Sequence, residues 1–221
     1  MQCSSSSEEA AVDFENSIRT YEGQKLRPLL NAELQHRIRN LLTLVQYLIN
    51  QTQSVTIEGY RAALTERIGN LAAAHELIEC AYGHPISLVE VVAQTLKPYA
   101  GILQDRIRIK GPDIALRPQL CLALHMIFHE LATNACKHGA LSSASGRVQI
   151  LWAQHLDGSG RKLAIHWSEL NGPEVCEPKR KGFGLSLVTK ALANAQVDLN
   201  FERTGLICRL LVEIDELPRH K

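Results

Sequence analysis

The sequence predicts an α+β chain in which a helical hairpin is followed by an α/β layer sandwich. Three observations predict it. Two apolar stripes recur in alternating steps of three and four, first over Leu34, Ile38, Leu41, Val45 and Leu48, then over Ile57, Arg61, Leu64, Ile68, Leu71, His75 and Ile78. A break follows at "YGHP", 82–85. Beyond it, strand-like and helix-like patterns interleave and close on a hairpin, the signature of layers around a mixed sheet.

Residues 1–7 are Ser-rich and too poor in apolar groups to offset the entropy of ordering. A short helix is expected over 8–22, ending near Gly23. The two stripes then form an antiparallel hairpin joined by a polar turn. Such a hairpin leaves much of its seam wet, and pairing with a second copy into a four-helix bundle would cover it. Arg61 and His75 at seam positions weaken that homodimer expectation. The chain thus divides into a tail and short helix (1–23), the hairpin (24–83) and the sandwich (84–221). Within the last, a helix is expected at about 86–99, a strand at 106–110 and a long helix at 118–138. Strands at 146–153 and 161–168, a turn-rich loop at 170–183, a helix at 184–194 and a hairpin at 197–214 complete it.

Bulk properties narrow the function classes. The 221 residues are 45% hydrophobic and 21% charged, and the net charge is only +1, without the basic surplus of a nucleic-acid binder. Six scattered cysteines with no Cys-x-x-Cys pair argue against a disulfide framework or zinc site. No apolar run is long enough to span a membrane, and "MQCSSSSEEA" is no cationic leader, so a cytoplasmic protein is expected.

Three patches carry the chemistry. The first is "HELATNACKHGAL", 129–141, the end of the long helix. Glu130, Asn134 and Lys137 fall within an arc of about 60°, apart from the core stripe of Leu124, Phe128, Leu131 and Ala135. A carboxylate, an amide oxygen and an ammonium on one face suit a magnesium–phosphate group, although taken alone such a face is more often simply solvated. The second is "IHWSELNGPEV", 165–175. Glu169 ends a strand beside the "NGP" turn, where Gly172 lets backbone approach a ligand, and a carboxylate there can recognise an exocyclic amine. The third is "PKRKGFGLSLV", 178–188. Lys179, Arg180 and Lys181 precede Gly182 and Gly184, and a helix N-terminus after glycines is an anion site. In this order the three describe a nucleotide triphosphate pocket better than three accidents, and it is not a Walker-type one, since no G-x-x-x-x-G-K-[ST] occurs.

These patches resemble the N, first G and second G boxes of the Bergerat-type ATP-binding fold, and in particular those of the HWE subfamily of bacterial histidine kinases. His129 and the Trp167–Glu169 pair match the residues for which that group is named. Upstream, "ELQHRIRNLL", 33–42, is similar to its H box, with His36 in the acceptor position. The helical arithmetic agrees: His36 lies about 180° from the centre of the Leu34–Leu48 stripe, away from the seam.

The resemblance implies an ATP- and Mg²⁺-dependent protein-histidine kinase that phosphorylates His36 and passes the phosphoryl group to an Asp on a response-regulator receiver domain. In that family Asn134 holds Mg²⁺, with Glu130 beside it as a second metal or reaction-orienting group. Lys137 and His138 lie near the phosphates, and His129 supports the box. Glu169 takes the adenine amine, with Trp167 and Gly172 completing the first G box. Lys181, Gly182, Gly184 and Leu185 belong to the lid and its base. Many histidine kinases place an acid just after the acceptor; here Arg37 stands there, and Glu33 and Asn40 are the helical neighbours that could orient the imidazole. Asn171 replaces the first Gly of the usual Trp-x-Glu-x-Gly-Gly-Pro, and the second G box lacks the usual basic residue before its Leu. These departures leave a second expectation open, a non-catalytic histidine phosphotransfer protein on a degenerate kinase fold. With about thirty residues ahead of the H box, too few for a sensor module, the expectation is that either a separate protein supplies the signal or the first helix docks one.

Overall fold

A computed structural model describes residue 35 and residues 38–81, 84–103, 105–158, 160–175 and 195–214. His36, Glu33, the Lys179–Leu185 segment and the helix expected at 184–194 lie outside these residues. The chain divides into two compact units, 1–53 and 54–221.

In the first unit a helix, α1, runs over 38–51, as the first stripe predicts. Thr52 ends it by turning both its backbone N–H and its hydroxyl onto the Leu48 carbonyl, at 3.0 and 2.6 Å.

The second unit opens with α2, Ile57–Cys80, capped by Thr56, whose side chain accepts the Gly59 N–H at 3.0 Å. Next come β1 (Ile86–Ser87), α3 (Leu88–Leu103), β2 (Ile107–Lys110), β3 (Ala115–Leu116) and α4 (Pro118–Lys137). A 3-10 turn at Ala140–Ser142 leads to β4 (Arg147–Asp157) and β5 (Gly160–Leu170), and the chain closes on β6 (Gln196–Glu202) and β7 (Gly205–Glu213). Five strands form one sheet in the order β2-β4-β5-β7-β6, antiparallel except for β2 against β4. The expected mixed sheet is therefore present. Ser87 organises the entry to α3, accepting the N–H groups of Val89 and Glu90 and donating to Asp113.

Alternation on the strands decides where the core sits. Val148, Ile150 and Trp152 on β4, Leu163, Ile165 and Trp167 on β5, and Cys208, Leu210 and Val212 on β7 share one buried face. Register sets Trp167 beside Ile150 and Cys208. Leu88, Val91, Val92 and Leu96 of α3 join Leu124, Ile127, Phe128 and Leu131 of α4 in the same cluster, giving helices on the sheet. The apolar arc predicted for α4 is thus its core face. Cys121, Cys136 and Cys208 are free thiols. Among the described residues no helix is long and apolar enough to cross a membrane.

α2 departs from the simple seam. It packs on α4 through Glu66, Arg67 and Asn70, about a third of a turn round the helix from the Ile57–Leu64–Ile68 line. Leu71 of the predicted seam is buried, but Ile57 is 74% and Ile68 41% exposed.

Candidate active site

The site is built around the exit of α4. The helix ends because Asn134 O accepts from both His138 N and Gly139 N, at 2.8 and 2.9 Å, releasing the chain into a loop over 139–146. Lys137 occupies the last turn, where a cation complements the helix dipole. Glu130 is largely buried one face-turn back, while Asn134, Lys137 and His138 are exposed. The predicted polar face is therefore real, and it grades from buried acid to solvent-facing amide and ammonium.

The loop is seated from two sides. Glu169 Oε2 accepts the Ala140 N–H at 2.7 Å, and its Oε1 lies 3.4 Å from Trp167 Nε1. Trp167 and Glu169 sit two apart on β5, so both point to the buried face, and Glu169 is only 3% exposed. Burial pushes its carboxyl above the usual range, while the two N–H donors pull it back. From the other side Arg106 spreads its guanidinium over carbonyls, with Nε donating to Gly146 O at 2.9 Å and Nη2 to Leu141 O at 3.2 Å, to Ala140 O and to Ser143 O. Ser143 and Ser145 hydroxyls donate to Asn171 O. Asn171 has φ 56°, the only positive φ of a non-glycine among the described residues, a conformation that Asn tolerates better than most. The close approach at Gly172 is by the chain itself, since a Cβ there would lie 2.6 Å from Ala140 Cα.

The other wall is α2. Arg67 Nε donates to Glu130 Oε1 at 3.2 Å, with side chains 18% and 13% exposed. Lys137 Nζ donates to Glu66 Oε2 at 3.2 Å. His129 Nε2 faces Glu66 Oε1 at 3.8 Å, too far for a hydrogen bond, and burial holds its imidazolium form down. Burial raises the Glu130 carboxyl, and Arg67 opposes the rise. Deeper, His125 bridges two helices, with Nε2 2.9 Å from Asn70 Oδ1 and Nδ1 2.9 Å from Thr95 Oγ1. Desolvation drives its pKa to about 4, so the ring is neutral, while the Thr95 hydroxyl donates to Val91 O at 2.7 Å. Asn70 also donates to Met126 Sδ at 3.3 Å.

The family model for HWE histidine kinases matches residues 33–113. The blue-light-activated histidine kinase of Brucella ovis is 34% identical over 193 residues, 85% of this chain and 40% of the relative. That of Brucella anthropi is 32% identical over 190 residues, 84% of this chain and 39% of its own. The chain belongs to the HWE histidine kinase family. Among solved structures, the blue-light activated histidine kinase EL346 of Erythrobacter litoralis aligns with TM-score 0.53 at 18% identity, over 82% of this chain and 57% of that one. Its histidine kinase domain aligns with TM-score 0.50 at 14% identity, over 80% and 94%. These two share the fold. This HWE chain spans about 40% of the length of the Brucella relatives it matches.

Of the HWE motif residues, His129, Glu130, Asn134, Lys137 and His138 lie together on α4 and its cap, and Trp167, Glu169 and Gly172 lie on and after β5. Trp167 is a core residue, 1% exposed. Asn40 belongs to α1, in the other unit. His36, Glu33, Lys181, Gly182, Gly184 and Leu185 lie outside the described residues. The sequence did not single out Arg106, Glu66, Arg67 or the Asn70–His125 pair. Asn70 carried a usable signal, an amide in a helix interior where its propensity is poor.

Proposed function

We propose that this chain is the kinase core of a two-component system. It transfers the γ-phosphoryl group of ATP to a ring nitrogen of His36 and passes it to a receiver-domain Asp of a response regulator. The observation that carries the reading is the α4 face, on which Glu130, Asn134 and Lys137 succeed one another above the loop that Glu169 and Arg106 hold in place. The match of the family model over 33–113 supports the acceptor assignment, since it takes in the H box with His36. In this reading 24–83 serves dimerisation and phosphate acceptance, 84–221 binds ATP, and the working form is a cytoplasmic homodimer.

The donor set fits Mg²⁺–ATP. Among the described residues no three His, Cys, Asp or Glu side chains gather as a dedicated metal cage. Mg²⁺ is commonly held by one or two protein oxygens together with waters and substrate phosphates, and Asn134 and Glu130 would supply those two. Bound there, the ion neutralises phosphate charge. Lys137 would hold phosphate oxygens as a point charge, and His138 lies at the same mouth. Glu169, with both oxygens already accepting N–H groups, serves as the strut that fixes Ala140 and the Asn171–Gly172 turn. Imidazole attacks as the neutral ring, through the lone pair of its unprotonated nitrogen. Catalysis then rests on positioning and charge neutralisation.

The test is incubation with γ-labelled ATP and Mg²⁺ beside His36→Ala, scoring acid-labile, base-stable label. Label that disappears in the variant is expected. An unlabelled chain whose His36 still accepts phosphate from a phosphorylated receiver would instead place it among non-catalytic phosphotransfer proteins.

A further inference from the structure

We propose that Glu66 and Arg67 of α2 form a self-inhibitory latch on the nucleotide groups of α4, which Mg²⁺–ATP must displace. The inference rests on the reading of Glu130 as a metal group and Lys137 as a phosphate group. Two adjacent residues of opposite charge meet two residues of opposite charge seven apart on α4: Arg67 takes Glu130, and Glu66 takes Lys137 while also facing His129. The pairing leaves the acid without net charge to offer a cation and the ammonium without charge to offer a phosphate.

The latch is in register because α2 is pinned just beyond it. Asn70, one turn on from Glu66 and Arg67, is held by His125 and Met126 in the buried layer, and Leu77 and Ile78 pack against the core. The latch itself is built to open. Lys137 and Glu66 are 55% and 43% exposed, where an ion pair adds little and salt weakens it. The Arg67–Glu130 pair is drier, but the desolvation cost of such a pair offsets most of its attraction. A ligand that supplies its own cation and anion can therefore replace both partners together. If the latched form dominates, apparent nucleotide affinity falls by the fraction of unlatched molecules.

The experiment titrates the full chain with a fluorescent ATP analogue at fixed and varied Mg²⁺, and measures His36 labelling in parallel. The variants are Glu66→Gln, Arg67→Gln and the double variant, whose net charge is unchanged. The double variant is expected to bind nucleotide about five-fold tighter or better. Glu66→Gln should act on nucleotide affinity, and Arg67→Gln should lower the Mg²⁺ concentration needed for half-saturation. A purely structural role for α2 would not split the two readouts. Lys137→Ala and Glu130→Gln keep the underlying reading separate. If they weaken binding while the double variant binds no tighter than wild type, the latch is overturned and the site stands. If they bind as wild type does, the site assignment itself fails and the latch falls with it.

Discussion

The Glu169 carboxylate reaches across 29 residues to the backbone N–H of Ala140, joining the end of β5 to the exit of α4 at 2.7 Å. Glu169→Ala would strand that N–H and the Trp167 indole N–H in a buried setting. A loss of about 2–3 kcal/mol is expected, read as a lower midpoint in urea denaturation. Glu169→Gln keeps one acceptor oxygen and should lose less. Equal losses for the two variants would argue that the strut is not an acceptor-driven contact.

Arg106 gives the second prediction. Its fork meets four carbonyls of the loop, and a Lys cannot reproduce that geometry. Arg106→Lys should cost roughly 1–2 kcal/mol and Arg106→Ala more, with amide exchange in 140–146 accelerating in both. Wild-type exchange rates in Arg106→Ala would refute the clamp.

The turn at 171–172 supplies a contrast between neighbours. Asn171→Ala forces a β-carbon residue without a compensating polar group into φ 56° and should cost about 1 kcal/mol, whereas Asn171→Gly should be near neutral. Gly172→Ala meets Ala140 backbone, at 2.6 Å from Cα and 2.9 Å from N, and should be the most damaging of the three. Thermal melts of the three variants order them.

His125 makes stability depend on pH with a known sign. Its folded pKa of about 4 lies below its unfolded value of 6.5, so the unfolded chain binds the extra proton between them. Its contribution is complete above pH 6.5 and is lost as pH falls toward 4, by about 3 kcal/mol in all. Glu130 and Glu169, whose carboxyls are raised by burial, act in the opposite sense. The difference between wild type and His125→Ala across pH 7.5 to 5 therefore isolates the histidine. A constant difference would contradict the neutral buried ring.

What the sequence revealed followed from one-sided burial. Leu124, Phe128, Leu131 and Ala135 announced the core face of α4 because a helix on a sheet buries one stripe. The β4–β5 and β6–β7 pairs were legible from alternation, although β4 runs on to Asp157, past the residue 153 at which the pattern predicted its end. β3 was missed because two residues are too few to show a period. The burial of Glu169 was legible too, because its parity with Trp167 puts both on one face of β5 and Trp167 belongs in a core. Arg106 was not legible at all: its partners are carbonyls 34 to 40 residues away, which every sequence possesses. The α2 pairs were equally silent, because Glu66 and Arg67 look like an ordinary solvated face until the helix across from them is known.

The loop over 139–146 is gripped by its carbonyls, by one N–H, by the Ser143 and Ser145 hydroxyls that reach Asn171 and by buried Leu141. Its spelling, "GALSSASG", is therefore constrained at the serine hydroxyls and at Leu141, and most tightly at Gly139 and Gly146, where a Cβ would strike Glu169 and Ala140. Randomised libraries of this segment should tolerate wide diversity at 144, favour hydroxyl residues at 142, 143 and 145, and accept almost none but glycine at 139 and 146. Its shape is inherited from Arg106 and Glu169, outside the loop altogether.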